Sequence, residues 1–459
     1  MIGLHTQLKQ LIAKHPLIAG SFLLTLAGFI SRLIGFFYRM YLSQTFGEEG
    51  MGIYQLVGPI MALSFSLTAA GFQTSISKFV AEHTGNAETG RFGLHRPLIL
   101  GLSISLPLSF LLMLFIQSNA LFIATSFLQE PRTAPLLRIL ALSLPLSAAH
   151  ACINGFFYGC KKAAIPAICQ LVEQIFRVLS VYIIATLALS QGNTPTLNIT
   201  CLGILLGEIA ATTLCVFTML YYTRKSLQTL HDISTAPTSM TTGTHLTYGM
   251  LLSMAIPLIA NRISLNFLQS IETVSLPARL RMYGYDQSTA LSVYGVLTGM
   301  VFPLLFFPNA ITSAFAVLLL PLISEGVALG DKTYVRKLTL KTIRYCSLLG
   351  FSCMFIFLLF GNHLGRILFH SQLAGLFIRT LSFICPFMYL NNTLSAILQG
   401  MGKVIPLFFI NVSALLLRLI FIFTFVPTHG IKGYLWGLLA GQLYQCTIYL
   451  FTINRTQKR

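Results

Sequence analysis

The run LIAGSFLLTLAGFISRLIGFFYRMYL, residues 17–42, carries no charge other than Arg32 and Arg39. It exceeds the ~20 residues that cross a bilayer as an α-helix. Lys9 and Lys14 precede it, but no small-residue cleavage site follows, so it reads as an uncleaved first membrane span. Eleven more apolar runs of similar length follow, at about 53–76, 97–117, 136–158, 163–189, 199–222, 247–272, 290–320, 343–361, 374–399, 404–427 and 431–453. Prolines at Pro303 and Pro308 predict a kink in the long eighth run. Composition agrees: 55% of the 459 residues are apolar and 9% charged, with mean hydropathy +0.77, against ~25% charged in soluble chains. Each span must satisfy its own backbone hydrogen bonds, and a β-barrel would show short alternating segments instead. The expected fold is an all-α polytopic membrane protein of about twelve transmembrane helices.

The net charge of +18 looks at first like a nucleic-acid signal, yet its placement follows the positive-inside rule. Eighteen Lys and Arg fall in loops on the side of the N-terminus, five on the other side and seven inside spans. Both termini are therefore expected in the cytoplasm, and no soluble basic face offers itself to nucleic acid. The nine cysteines are solitary, without a C-x-x-C, so neither a zinc site nor a disulfide framework is read. No cofactor is expected.

The Ser/Thr-rich segment 224–245 divides the chain into an N-terminal lobe of six helices, 1–223, and a C-terminal one, 246–459. The halves repeat. Arg138, Pro145, Gly159 and Arg177 recur as Arg379, Pro386, Gly400 and Arg418 at a constant offset of 241. Gly203 and Gly207-Glu208 recur as Gly437 and Gly441-Gln442 at an offset of 234. An even number of spans per repeat makes the halves parallel, a transporter architecture with cargo between them.

Seven arginines sit inside spans: Arg32, Arg39, Arg138, Arg177, Arg262, Arg379 and Arg418, against Glu173 and Glu208 as the acids clearly inside the same runs. A buried arginine costs ~2.5–3.5 kcal/mol at a helix centre on insertion scales, so the excess calls for a water-filled cavity and an anionic cargo. Arg32, Arg177, Arg262 and Arg418 all fall ~21–23 Å from the cytoplasmic edge at 1.5 Å per residue. Arg39 lies two turns farther out on the face of Arg32. Arg138 and Arg379, near span ends, read as interfacial anchors. Glu173 stands four residues before Arg177, the spacing of an intrahelical pair, whereas Ala414 takes that place before Arg418. Arg262, Asn266 and Gln269 share one helix face, suited to sugar hydroxyls or to bonds between helices. Guanidinium forks fit phosphate oxygens bidentately, which points to a lipid-linked diphosphate. Glu173 and Glu208 are candidates to hold a coupling proton or sodium ion; a structural role beside the arginines is the alternative.

The stretches Ser31-Arg32-Leu33-Ile34-Gly35-Phe36-Phe37-Tyr38-Arg39 and Phe46-Gly47-Glu48-Glu49-Gly50-Met51-Gly52-Ile53-Tyr54-Gln55, with Leu276-Pro277-Ala278-Arg279-Leu280 and Leu320-Pro321-Leu322-Ile323-Ser324-Glu325, resemble the polysaccharide-transporter branch of the multidrug/oligosaccharidyl-lipid/polysaccharide exporter superfamily. Within it the likeness is to the stage V sporulation protein B group, relatives of the MurJ-type lipid II flippases. The resemblance implies alternating access between two lobes and flipping of undecaprenyl-diphosphate-linked sugars to the outer leaflet for peptidoglycan or other cell-wall or spore-wall polysaccharide. It also implies a bacterial plasma membrane as the location, roles for Arg32 and Arg39, coupling to a proton, sodium or the membrane potential, and contact with cell-wall synthesis proteins. Two departures are visible. Gly299-Met300-Val301-Phe302-Pro303 is apolar where the MurJ-type proteins carry an Asp-Arg pair, and twelve spans are read where the group usually has fourteen, the last two holding the lipid tail.

Three other readings stand beside this one. A cation-coupled multidrug exporter of the same superfamily predicts an acidic or aromatic cavity, against the excess of arginine. An enzyme needs an extramembrane acid–base cluster, and the outer loops are short, with His150 and His363 each alone in sequence. A non-transporting scaffold of wall synthesis leaves the seven arginines without a purpose.

Overall fold

The computed structural model describes residues 16–85, 91–231 and 247–458. Among them the chain is helical and without strands, and twelve helical rods follow one another, one for each span read from the sequence. α1 is Pro16–Leu56 and α2 covers 58–85. α3 covers 91–127, and α4 is the bent pair Pro131–Ala141 and Ser143–Gly159, with 45° between its parts. α5 is Ala164–Ser190, α6 Asn198–His231 and α7 Tyr248–Tyr283. α8 is Gln287–Ala328, α9 Lys332–Phe369 and α10 Gln372–Gly400. α11 is Val404–Thr424 and α12 Ile431–Lys458. Lys9, Lys14 and most of the segment 224–245 lie outside the described residues.

Nine helices among the described residues, or ten with the bent pair, are long and apolar enough to cross a membrane. One of these runs, Leu24–Glu82, has 59 residues, about twice what a crossing takes at 1.5 Å per residue. It is interrupted at Gly47, whose φ of 70° and ψ of −172° leave the helical region, and at the turn of Val57, so it holds two spans. Glycine alone tolerates that backbone without strain. α12 completes the set, its hydropathy lowered by Gln442, Tyr444 and Gln445. The protein is thus a multi-pass membrane protein of about twelve helices in two lobes. The expected irregularity of span eight takes the form of a π-helical turn, Val296–Val301, immediately before Pro303. Proline has no N–H to return to the preceding turn, and a widened turn absorbs the mismatch.

By contacts the described residues group into two compact units. The first takes those within Met1–Ile34, Ile60–Ala124 and Ala134–Ile263, the second those within Gly35–Pro59, Thr125–Thr133 and Ser264–Arg459. The chain therefore passes from one unit to the other inside α1, after Ile34, and inside α7, after Ile263. The first unit has its core at Phe72, Ile76, Cys152, Phe156, Phe157 and Cys215. The second has Ile323, Leu394, Ile397, Leu398 and Tyr449. Large apolar side chains such as Phe115, Phe217, Leu359 and Ile405 stay exposed on the outside, the surface acyl chains cover.

Hydrocarbon provides little hydrophobic drive between helices, so close approach at small residues and van der Waals contact hold them. The same contacts recur in each unit. A methyl group on Gly207 would stand 2.7 Å from the Glu173 carbonyl oxygen and 3.2 Å from Arg177 Cβ; one on Gly441 would stand 3.0 Å from Arg418 Cγ and 3.7 Å from the Ala414 carbonyl oxygen. Gly159 meets the Ser77 carbonyl at 2.6 Å, and Gly400 meets that of Leu320 at 2.9 Å. The sequence repeat is a repeat of packing.

Gly52 tests this principle inside the second unit, where an added Cβ would lie 2.1 Å from the Leu291 carbonyl oxygen. Gly52→Ala should destabilise the protein by about 1–3 kcal/mol through overpacking, read as a lower melting midpoint in detergent. Gly28→Ala, with nothing within 4 Å, should leave the midpoint unchanged or slightly raised.

Candidate functional site

In the first unit α5 presents Glu173, Gln174 and Arg177 on successive turns. Arg177 Nη2 donates to Glu173 Oε1, and Nη1 stands 3.5 Å from Gln174 Oε1. The intrahelical pair expected from the spacing of four forms. Opposite it, His150 of α4 and Glu208 of α6 meet with Nδ1 and Oε2 3.3 Å apart. One ligand atom from each of His150, Glu173 and Glu208 lies within 4.8 Å of the others, the one such three-residue group among the described residues. Packing explains the convergence. Gly207 lets α6 close onto α5 at Glu173, which turns the next residue, Glu208, toward α4. One turn on, Thr212 Oγ1 donates to the Leu146 carbonyl at 3.1 Å and ties α6 to α4. The side chains of His150, Glu208, Glu173 and Arg177 are 10, 14, 19 and 23% exposed, partly shielded yet within reach of solvent. His150, alone in sequence, is thus a partner of Glu208 and a near neighbour of Glu173. The sequence contained a signal for it: at the repeat offset of 241 it aligns with Asn391, a polar residue facing the same neighbour helix.

In the second unit Arg418 of α11 has a partner that its own helix does not supply. Its Nη2 lies 3.2 Å from Glu272 Oε2 on α7, and Glu272 Oε1 accepts from the Tyr434 hydroxyl of α12 at 2.8 Å. Glu272 and Tyr434 are buried. Two of the seven span arginines, Arg177 and Arg418, are thus paired, and Glu272, at the limit of the seventh run, is a third acid that pairs inside the bundle. Asn391 of α10 donates to both the carbonyl and Oε1 of Gln442 on α12, at 3.0 and 2.8 Å.

The remaining predicted residues are not brought together by side-chain hydrogen bonds or ion pairs among the described residues. Arg32 and Arg262 are exposed and Arg39 is half-buried; among the described residues none of the three makes an ion pair or side-chain hydrogen bond. Asn266 is half-buried, its carbonyl accepting from Ser270 at 2.7 Å, and Gln269 is exposed. Arg138 and Arg379 are exposed as well.

A second polar cluster lies outside the spans, within the second unit. Arg132 bridges Glu49 and Glu130, each at 2.7 Å. Gln287 Nε2 donates to Glu130 Oε2 at 2.7 Å, the Ser288 hydroxyl to Glu49 at 2.8 Å, and Ser371 to Glu48. Glu130 is 2% exposed. That burial works against its charge, but hydrogen bonds from Arg132 and Gln287 outweigh it and hold the carboxyl below its ordinary range. The motif Phe46–Gln55 thus supplies two acids to a network that sequence separation concealed.

With this geometry in place, comparison with known proteins is informative. Residues 17–327 match the family described as "Polysaccharide biosynthesis protein", and residues 266–424 match the MatE family. Stage V sporulation protein B of Bacillus subtilis is 26% identical over 97% of this chain and 85% of its own length. Lipid II flippase MurJ of the same organism is 24% identical over 69% of this chain and 59% of its own. Among solved structures, lipid II flippase MurJ in its inward closed conformation has a TM-score of 0.70 at 13% identity, over 94% of this chain and 87% of that one. An inward-facing MATE family transporter of the MOP superfamily has a TM-score of 0.65 at 15% identity, over 93% and 94%. At these identities the structures establish the fold.

Two outcomes follow. Glu272→Ala leaves Arg418 uncompensated and should cost about 3–5 kcal/mol; adding Arg418→Met should restore most of it in a double-mutant cycle of detergent melting. For Glu130, a folded-state pKa below the unfolded value means the stabilisation is complete above the ordinary carboxyl pKa of about 4.3. It is lost as pH falls through the folded value. Between pH 6 and 3 the melting midpoint of the parent protein should fall more steeply than that of Glu130→Gln.

Proposed function

Because the chain belongs to the polysaccharide biosynthesis protein family, within the transporter superfamily it resembled in sequence, we propose that it is a flippase for an undecaprenyl-diphosphate-linked glycan. It carries a peptidoglycan precursor or another polysaccharide unit from the inner to the outer leaflet of a bacterial plasma membrane, both termini cytoplasmic. The observation that carries the reading is that, of the five arginines read as lining the path, Arg32, Arg39 and Arg262 are left without a protein partner among the described residues. A guanidinium facing acyl chains is expensive. Facing a water-filled path, it is a forked donor for diphosphate oxygens.

Arg177 and Arg418, each anchored by one carboxylate, contribute the N–H groups that their partners leave free. Arg177 Nε is buried and without a hydrogen-bond partner. Asn266 and Gln269 supply amide groups for the sugar. The cargo crosses unchanged, so the reading assigns no catalytic residue and no cofactor. That one relative is a lipid II flippase supports this cargo class; an arginine excess disfavours cationic drugs. A coupling proton or sodium ion is assigned to Glu173 and Glu208.

Flipping of a fluorescent undecaprenyl-diphosphate sugar in proteoliposomes tests the proposal against the scaffold reading. The parent protein should exceed empty vesicles, and Arg32→Ala with Arg262→Ala should lose at least tenfold while keeping its melting midpoint, about 1.4 kcal/mol or more of transition-state stabilisation. Equal rates in parent, variant and empty vesicles would reject this cargo.

A further inference from the structure

The packing repeat supplies an internal control for the cluster of the first unit. The offsets that superimpose Arg177 on Arg418 and Gly207 on Gly441 place His150 on Asn391, Glu208 on Gln442 and Glu173 on Ala414. In both units the first of these pairs meets. His150 Nδ1 and Glu208 Oε2 are 3.3 Å apart, and Asn391 Nδ2 donates to Gln442 Oε1 at 2.8 Å. A neutral amide pair therefore suffices to tie these two helices together. The first unit instead has an imidazole and a carboxylate, and adds a second carboxylate where the second unit has a methyl group. Burying ionisable groups costs more than burying amides, and the fold does not require it.

We propose that His150, Glu208 and Glu173 form a binding site for one exchangeable proton, confined to the first unit. Charge decides for the proton. Arg177 is cationic and the two glutamates anionic, so with a neutral imidazole the group carries a net charge of −1, which one proton cancels. A divalent ion would leave net positive charge beside Arg177. A hard monovalent or divalent ion wants an oxygen shell, whereas this set offers an imidazole nitrogen and a carboxylate already engaged by Arg177. A second observation points to the same group. His150 is 8% exposed, and its Nε2 has no hydrogen-bond partner. With Nδ1–H donating to Glu208, Nε2 holds the lone pair that takes the proton. Imidazole is the side chain that changes charge near neutral pH.

From α5 the His150 ring faces Glu173, itself held by Arg177, and the Cys169 thiol; from α6 it faces Glu208 and, beside Cys169, the Cys215 thiol. Gly155 packs on Gln73, and that register puts His150 level with Thr68 of α2, whose carbonyl accepts from Ser105 of α3. Lys78 and Glu82 are then ten or more residues along α2, ~15 Å or farther, and His95 and Arg96 about as far along α3. Arg138 is three turns back on α4 itself. On α7, Ile259 packs on Gly71 of α2, so Arg262, about one turn on, is a further charge at this level of α2.

This site gives the ion-coupling part of the flippase reading a ligand, but proton binding is measured without transport. Full-length protein in nanodiscs is back-titrated from pH 8.5 to 5, comparing the parent with His150→Asn/Glu208→Gln, the pair the second unit already accommodates. The parent should take up about one more proton per chain, and ε-carbon-labelled histidine should show one titrating resonance that the variant lacks and Glu208→Gln shifts. The variant should keep its melting midpoint. Equal uptake by the two proteins, with no such resonance, overturns the site. So does sodium or zinc binding by calorimetry that the variant loses without a difference in proton uptake. Flipping in the same proteins separates the readings: a proton difference without any flipping rejects the cargo alone, and flipping without a proton difference rejects this site alone.

Discussion

An ionised side chain inside a hydrophobic helix needs a counter-charge, a hydrogen-bonding neighbour or water, and this requirement organises the interior of the protein. The two repeat-related arginines show how. Arg177 takes Glu173 from its own helix, one turn away. Arg418 occupies the equivalent place, but Ala414 stands where the acid would be, and the carboxylate comes from Glu272 of α7. The guanidinium is fixed by the helix packing, with Gly207 and Gly441 giving the neighbouring helix its close approach. The source of the counter-charge is free to vary. Such pairs contribute little net stability compared with apolar packing, yet losing one partner leaves a stranded charge, so each pair locks a helix relationship once formed.

The same physics sets what can be read from the chain alone. Twelve spans are legible because each helix satisfies its own backbone bonds and so announces itself as an uninterrupted apolar run. The Glu173–Arg177 pair is legible because both members lie on one helix at a fixed spacing. Contacts between helices are another matter. His150 and Glu208 are 58 residues apart, and Glu272 and Arg418 are separated by much of the second unit; no local pattern joins either pair. The extent of α1, continuous to Leu56 save for Gly47, is hidden for the opposite reason: Glu48 and Glu49 look like loop, but Arg132, Ser288 and Ser371 engage them. The repeat is the one sequence feature that carried long-range information. Aligning the halves identifies His150 with Asn391 and Glu208 with Gln442, and coordinates were needed only to see that each pair touches.

A duplicated architecture also permits a comparison of affinities inside one molecule. On the flippase reading, cargo must bind well enough to leave the inner leaflet and weakly enough to leave the protein, the condition that governs any conducting site. A charge-assisted hydrogen bond contributes about 1.5–3 kcal/mol. Five unengaged arginines, each forked onto a diphosphate, would hold it too tightly for release. Glu173 and Glu272 each occupy donors of one arginine, which leaves Arg32, Arg39 and Arg262, of these five, to follow the cargo on that reading. On the flippase reading, acids beside the basic residues tune the path rather than oppose it. In the first unit, where the acid sits within reach of His150 and Glu208, a change of one proton alters how much of Arg177's charge is neutralised. In the second, the corresponding pair, Asn391 and Gln442, is fixed in charge. The two units meet the same packing constraint, one with an imidazole and a carboxylate and the other with two amides.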